Sequence, residues 1–383
     1  MVRPSQVMAM HEKKILFLRL MIVYLLWTAA GVLGGSFLYL YFKNAGVGLV
    51  ELLASFLFWM IAPLIVIELL NKKKIDLRIL LILGVAAQAA SYSLVALLEP
   101  SAPLLFLCSF LLGTTSFIFW VPFNTMFFEL GDGRQAFFGS VYFSVNPVLS
   151  VVLPLFGALL SFLFGMPAIF LCAALFSVCL LLTASLAIKG REAGFALRKC
   201  LDELKGFKTM IFLEGIYGGG VTASIAVVSV YYFSSAPDLG MFLSVTTLFS
   251  VLASIVISKI SDASRKRKMY IMVFGSALGI VTIAGSFAYG ALAWSALVSA
   301  RNFIAALFYP FTTAIIMDNK RHVGWSMVGR EWLLNWGRVI GILIALAGAI
   351  FLPDAQKALL VFGLVMIAYP MMIELKKRHI RVE

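Results

Sequence analysis

The sequence predicts an all-α, polytopic membrane protein with twelve transmembrane helices in two pseudo-symmetric six-helix halves. Three observations carry this. Of 383 residues, 62% are hydrophobic and only 13% charged, with a mean hydropathy of +1.00, which is more apolar surface than one soluble core could bury. The basic residues fall in alternate loops. And one segment occurs twice: setting Pro122 on Pro310 pairs WVPFNT with FYPFTT, each copy continuing to an acid (Glu129, Asp318) and, after a loop, an arginine (Arg134, Arg330).

A crossing of a hydrocarbon core ~30 Å thick needs roughly 20 helical residues at ~1.5 Å each. Runs that meet this fall near 15–42, 48–70, 79–98, 103–128, 136–162, 167–188, 208–235, 239–259, 268–289, 291–317, 328–352 and 356–375. Residues 1–190 then form one six-helix bundle, 191–207 a central loop, and 208–383 the second bundle. Almost all of the 31 Lys and Arg fall in the termini and the loops on one side. Only Lys43 and Lys357 lie in opposite-side loops, and Arg301 and Arg338 lie inside helices. By the positive-inside rule both termini face the cytoplasm, in a cell membrane. The net charge of +13 then reflects topology and contact with anionic lipid, not nucleic acid. His11, His322 and His379 are far apart and the four cysteines do not cluster, so neither metal nor other cofactor is expected. No P-loop occurs, which argues against ATP-driven pumping within this chain.

Taken in order, the first span follows a basic start and carries Arg19 near its end, placed either to snorkel to headgroups or to serve a gate. Deeper lies G-V-L-G-G (Gly31, Gly34, Gly35), and the seventh span carries G-I-Y-G-G (Gly215, Gly218, Gly219) at the same spacing. Small residues permit close helix packing; glycine-interrupted helices at corresponding positions of two halves also mark substrate sites. On the second reading these glycines break their helices, and Tyr217 between them is a substrate contact. The second span ends at Glu68 and is followed by NKKKIDLR. The eighth ends in SKISDASRKRK, where Ser258, Ile260, Asp262, Arg265 and Lys266 stand in order.

This loop pattern, with the two six-helix halves and the charged central loop, resembles the major facilitator superfamily. Ser258 replaces the first glycine of the family's loop signature, and in the first-half copy Asn71 stands where its Asp would be. The resemblance implies alternating access, a cavity lined by the first, fourth, seventh and tenth spans, and an inner-gate role for Asp262. Helix five keeps only Pro154 and Gly157 of the glycine-rich pattern found in drug exporters of the superfamily, which weakens that reading.

Gln88 in the third span and Asn124 in the fourth are polar groups that bond to neighbours or line the cavity. Pro122, two residues before Asn124, is expected to kink its helix. Three charges lie deep. Glu214 is about six residues (~9 Å) into the seventh span, and Arg301 and Arg338 each about ten residues (~15 Å) into theirs. Such groups face a partner or a wet cavity. Arg301 has no acid in its own span and suits a carboxylate or phosphate. Arg338 is a substrate contact or a partner of Glu68. Glu214 is a proton-coupling group, a counter-charge for a lipophilic cation, or a partner of Arg19 or Arg134. Arg19, Glu68, Glu129, Arg134, Asp262, Asp318 and Arg330 form the expected inner gate. The chain therefore reads as a monomeric, proton-coupled secondary transporter of a small organic solute. Export of amphipathic compounds, organic-anion transport and a non-transporting receptor remain open. Catalysis is not expected, because no convergent polar constellation is visible.

Overall fold

The computed structural model describes the backbone over residues 4–130, 135–187, 190–261, 267–318 and 323–375. It describes side chains over 15–127, 145–185, 190–254, 269–312 and 324–372. The first half contains α1 (Pro4–Asn44), α2 (Leu49–Leu70), α3 (Leu77–Leu97), α4 (Ala102–Leu130), α5 (Gln135–Phe164) and α6 (Pro167–Ala187). A short helix, α7 (Leu197–Glu203), lies in the central loop. The second half contains α8 (Lys208–Tyr232), α9 (Ala236–Ser261), α10 (Arg267–Gly285), α11 (Ala291–Asp318), α12 (Val323–Phe351) and α13 (Leu359–Leu375). Among the described residues eleven of these helices are long and apolar enough to cross a membrane, and α10 is a shorter apolar helix over Met269–Gly285.

Both halves use the same helix pairs to meet, α2 with α12 and α5 with α9. Small residues set these approaches, because lipid supplies no hydrophobic force between helices and close packing must do so. A Cβ at Gly240 of α9 would stand 2.7 Å from the Pro154 carbonyl oxygen of α5. Away from the central loop, the ends of α1 and α8 also meet. Lys43 lies 5.6 Å over the Tyr231 ring and Asn44 Nδ2 donates to Ser234 O at 3.4 Å.

The expected helix breaks are not present. α1 runs unbroken through Gly31, Gly34 and Gly35, and α8 through Gly215, Gly218 and Gly219. An interior glycine weakens a helix by about 1 kcal/mol, but unwinding in lipid would strand several backbone groups, each costing several kcal/mol. The glycines serve packing instead. A Cβ at Gly215 would be 2.4 Å from Leu334 O, and one at Gly219 2.4 Å from Arg338 Cα, so α8 and α12 touch backbone to backbone. Gly34 makes room for the Tyr92 ring. Pro122 and Pro310 likewise sit inside helices that continue past them.

The central loop is folded onto both halves. Strand β1 (Lys74–Asp76) pairs antiparallel with β2 (Glu192–Gly194), with Asp76 opposite Glu192. Asp76 Oδ1 caps α3 through Arg78 N (2.8 Å) and also accepts from Arg191 N (3.2 Å). Asn71 Oδ1 accepts from Leu197 N at 3.0 Å, tying in the start of α7. On its other face α7 packs on α12, where a Cβ at Gly329 would be 2.6 Å from Cys200 O. Ile67, Leu77, Phe117, Leu197, Cys200 and Val328 form one buried cluster across these elements.

Candidate substrate site

The charges inside the second half converge. Arg330 was expected at the very start of its span, just after a loop, but α12 begins at Val323 and carries it about 10 Å along the helix. There Arg330 Nη2 donates to Glu214 Oε1 on α8 at 2.6 Å. Both side chains are largely buried, at 15% and 5% exposure, so the pair is one an apolar medium requires. Glu214 thus takes Arg330 as its partner. Tyr369 of α13 stands beside the same pair, and Tyr309 of α11 stands among Glu214, Tyr217, Arg301 and Arg338. Glu214 Oε2, Arg330 Nε and the Tyr369 hydroxyl are buried without a hydrogen-bond partner among the described residues.

Just over two turns along α12, Arg338 Nη1 donates to Asn335 Oδ1 at 3.0 Å and lies 3.5 Å from Glu331 Oε2. The spacing of 331, 335 and 338 puts all three on one helix face. Glu331 is the partner that Glu68 was considered for; Glu68 is exposed at the end of α2. Arg301 is different. Its Nη1 bonds to Asn302 Oδ1 at 3.1 Å, and its guanidinium lies 5.9 Å over the Tyr217 ring. Among the described residues its buried Nε has no hydrogen-bond partner and no carboxylate lies within ion-pair distance. Tyr217 is fully buried, its hydroxyl bonded to Thr282 Oγ1 of α10 at 2.9 Å.

The first-half candidates lie elsewhere. Gln88 is buried on α3 against Gly31 of α1, its Oε1 unpartnered among the described residues. Asn124 on α4 also keeps an unpartnered buried Oδ1. Beside it Trp27 stacks on Phe119 at 3.6 Å, part of an aromatic column with Tyr24, Trp120, Phe123 and Phe127. Arg19 is exposed on α1. Glu129, Arg134, Asp262 and Asp318, the rest of the expected inner gate, lie outside the residues whose side chains are described.

Sequence reading did not find Glu331, Asn335, Tyr309 or Tyr369. For Glu331 a signal existed, since its i, i+7 spacing to Arg338 shares a helix face once the helix start is set at Val323. The tyrosines had none, because twelve tyrosines in an aromatic-rich chain do not distinguish a core position from a site.

Helix order, the α2–α12 and α5–α9 contacts and the paired halves give this chain a fold known from solved membrane transporters. Solved structures of that class superpose along nearly the whole chain. A nucleoside transporter, NupG, matches with a TM-score of 0.70 at 12% identity, covering 94% of this chain and 99% of its own. A POT family transporter solved with a thioalcohol-conjugated peptide matches at 0.74 and 13%, covering 96% of each chain. The human organic anion transporter MFSD10 matches at 0.66 and 14%, covering 94% of this chain and 99% of its own. No family model and no curated protein sequence matches.

Proposed function

We propose that this chain is a secondary transporter that moves a small organic anion across the cytoplasmic membrane by alternating access, with both termini cytoplasmic. The observation that carries the reading is charge imbalance. Arg301, Arg330 and Arg338 lie within the second half, Glu214 and Glu331 occupy the latter two, and Arg301 is left without an acid among the described residues. A charge at that depth costs at least ~2.5–3.5 kcal/mol on the insertion scale unless a counter-charge arrives, and an anionic solute supplies one. The likeness in fold to a nucleoside transporter, a POT family transporter solved with a conjugated peptide and an organic anion transporter agrees with solute transport. Export of lipophilic cations fits less well, because Glu214, the acid they would need, is held by Arg330.

Glu214 fits proton coupling in the same reading. A proton on its carboxylate would weaken the bond to Arg330 and free a second guanidinium beside Tyr309 and Tyr369. The test is counterflow in proteoliposomes with labelled carboxylates and phosphate esters, together with Arg301→Gln. Exchange of an anion class that is lost in a stably folded Arg301→Gln variant is the expected result. Exchange of lipophilic cations instead, or anion exchange unchanged by the substitution, overturns the assignment. Binding with no exchange would indicate a receptor on this scaffold.

A further inference from the structure

Glu331 stands between two guanidiniums. Its Oε1 lies 4.0 Å from Arg330 Nη1 and its Oε2 lies 3.5 Å from Arg338 Nη1, so each oxygen faces a different arginine and neither closes to hydrogen-bond distance. Arg330 is held instead by Glu214 Oε1, and Arg338 by Asn335 Oδ1. Two carboxylates and two guanidiniums thus form a neutral chain that leads from Glu214, 5% exposed, to Arg338, 31% exposed. Its open end does not face lipid. At ~100° of rotation per residue, the exposed apolar residues of α12, Trp336, Leu343 and Ile350, lie roughly 100–140° around the helix from Glu331, whereas Arg338 lies about 20° from it. The partly exposed pair is therefore turned toward the interior. Among the described residues no other ionisable group completes the chain. Tyr369 and Tyr309 stand by Glu214. On the elements packed against α12, Lys199 lies over Trp325, Cys200 is buried against Gly329, Glu68 is exposed and Asp354 accepts from Gln356 N, none of them paired with Glu331.

We infer that Glu331 is a positioning residue that passes between Arg338 and Arg330, so that a proton taken up at Glu214 releases Arg338 to bind the anionic solute. The inference rests on the anion and proton-coupling reading above and deepens it. The proton has a defined place to go: Oε1 of Glu214 holds Arg330, and Oε2 is buried without a hydrogen-bond partner among the described residues. An O–H bond forms there with a proton from water, and Arg330 loses its counter-charge. The carboxylate next to it is Glu331, whose Oε1 needs to move only about 1 Å to make contact. That movement draws Oε2 away from Arg338. Arg330 ends paired and Arg338 ends with a surplus charge, which one anion restores to neutrality. Tyr309 stands by both Arg338 and Arg301, so the two arginines border one region and can share the anion. One proton and one negative charge therefore enter together.

The experiment is isothermal titration of purified full-length protein with lactate, benzoate and methanesulfonate, whose own charge is the same in neutral and in mildly acid buffer. Each protein is first checked for a monodisperse, cooperatively melting preparation. Wild type should bind its best probe at least about fivefold more tightly at acid than at neutral pH. Glu214→Gln and Glu331→Gln should bind tightly at both, the first because Arg330 draws Glu331 away permanently and the second because Arg338 has no acid to leave. Arg338→Gln should bind weakly at both. The double variant Glu214→Gln/Arg330→Gln strands no ion and should also bind weakly at both, because nothing then draws Glu331 from Arg338; it decides alone if Glu214→Gln does not fold. A pH response that survives in Glu331→Gln or Arg338→Gln would mean that Arg330 itself meets the anion, so the relay falls and the proton-coupling reading stands. A response that survives in the double variant would place the proton elsewhere than Glu214 and sink both. No response in wild type removes relay and proton coupling while the anion reading stands, and no binding of any probe removes all three.

Discussion

Arg330 of α12 donates to Glu214 of α8 across the seam between these two helices, at 2.6 Å. Two features of the same helices make this distance possible. Gly215 and Gly219 bring the α8 backbone against Leu334 and Arg338, so side chains on either side of that seam are forced together. The ion pair therefore depends on glycines that carry no chemistry of their own.

Breaking the pair should be costly and mending it cheaper. Glu214→Gln leaves the buried Arg330 guanidinium with only the more distant Glu331 carboxylate, 4.0 Å away, so the loss should approach the about 3–5 kcal/mol of a broken buried pair. Arg330→Gln should destabilise by a similar amount. The double variant should recover a large part of either loss, because two neutral amides need less solvation than one stranded ion. Melting of the four proteins in one detergent checks this; additive losses in the double variant would show that the two side chains are not coupled.

Neighbouring glycines should respond in opposite directions. Gly215→Ala places a methyl 2.4 Å from the Leu334 carbonyl oxygen, and backbone cannot yield as a side chain can. Overpacking of that kind costs about 1–3 kcal/mol. Gly218→Ala meets nothing within 4 Å, and an alanine in a helix interior is better than glycine by up to about 1 kcal/mol. The first variant should melt below wild type and the second at or above it. Equal shifts would mean that the seam does not set the helix approach.

How far the sequence foretold this structure depends on the scale. Spans, halves and the doubled Pro122 and Pro310 segments were legible because hydrocarbon thickness and backbone hydrogen bonding constrain them directly. The depths of Glu214 and Arg301 followed from counting along a helix. Partners did not follow, since 116 positions separate Glu214 from Arg330 and helix ends fray in any sequence reading. How deep Arg330 lies in α12 was hidden because the residues before 328 look like loop until the helix start at Val323 is seen. The glycine-rich segments were ambiguous for a physical reason: the same residue type both permits close packing and weakens a helix.

The clamp built on Asp76 should fail selectively. Its carboxylate serves both Arg78 N and Arg191 N, so Asp76→Ala removes the α3 cap and one tie to the central loop. A lost cap costs about 0.5–2 kcal/mol, enough to loosen the β1–β2 pairing and too little to unfold twelve helices. Limited trypsin digestion should cut near Arg191 faster in the variant, with melting nearly unchanged. Identical cleavage rates would mean that strand pairing holds the loop without the carboxylate.

Cys200 reports on the other face of the same clamp. It is fully buried between α7 and α12, and burial pushes its thiol up to about 11. A raised thiol pKa keeps the neutral form through the physiological range. The nucleophile is the thiolate, so at pH 7.5 its abundance is about 100-fold below that of an ordinary thiol near 9.0. The linkage has a definite sign. Stability from the buried neutral thiol is fully present below the unfolded value near 9.0 and is lost as pH rises through about 11. Maleimide labelling of a variant whose other three cysteines are serine should be slow at pH 7.5 and accelerate toward pH 10. Adding Asp76→Ala should speed labelling at constant pH if α7 lifts when its loop is released, because Asn71 holds the start of α7 on the same β1 loop. Fast labelling of the wild-type clamp at pH 7.5 would show that α7 leaves α12 without any such release.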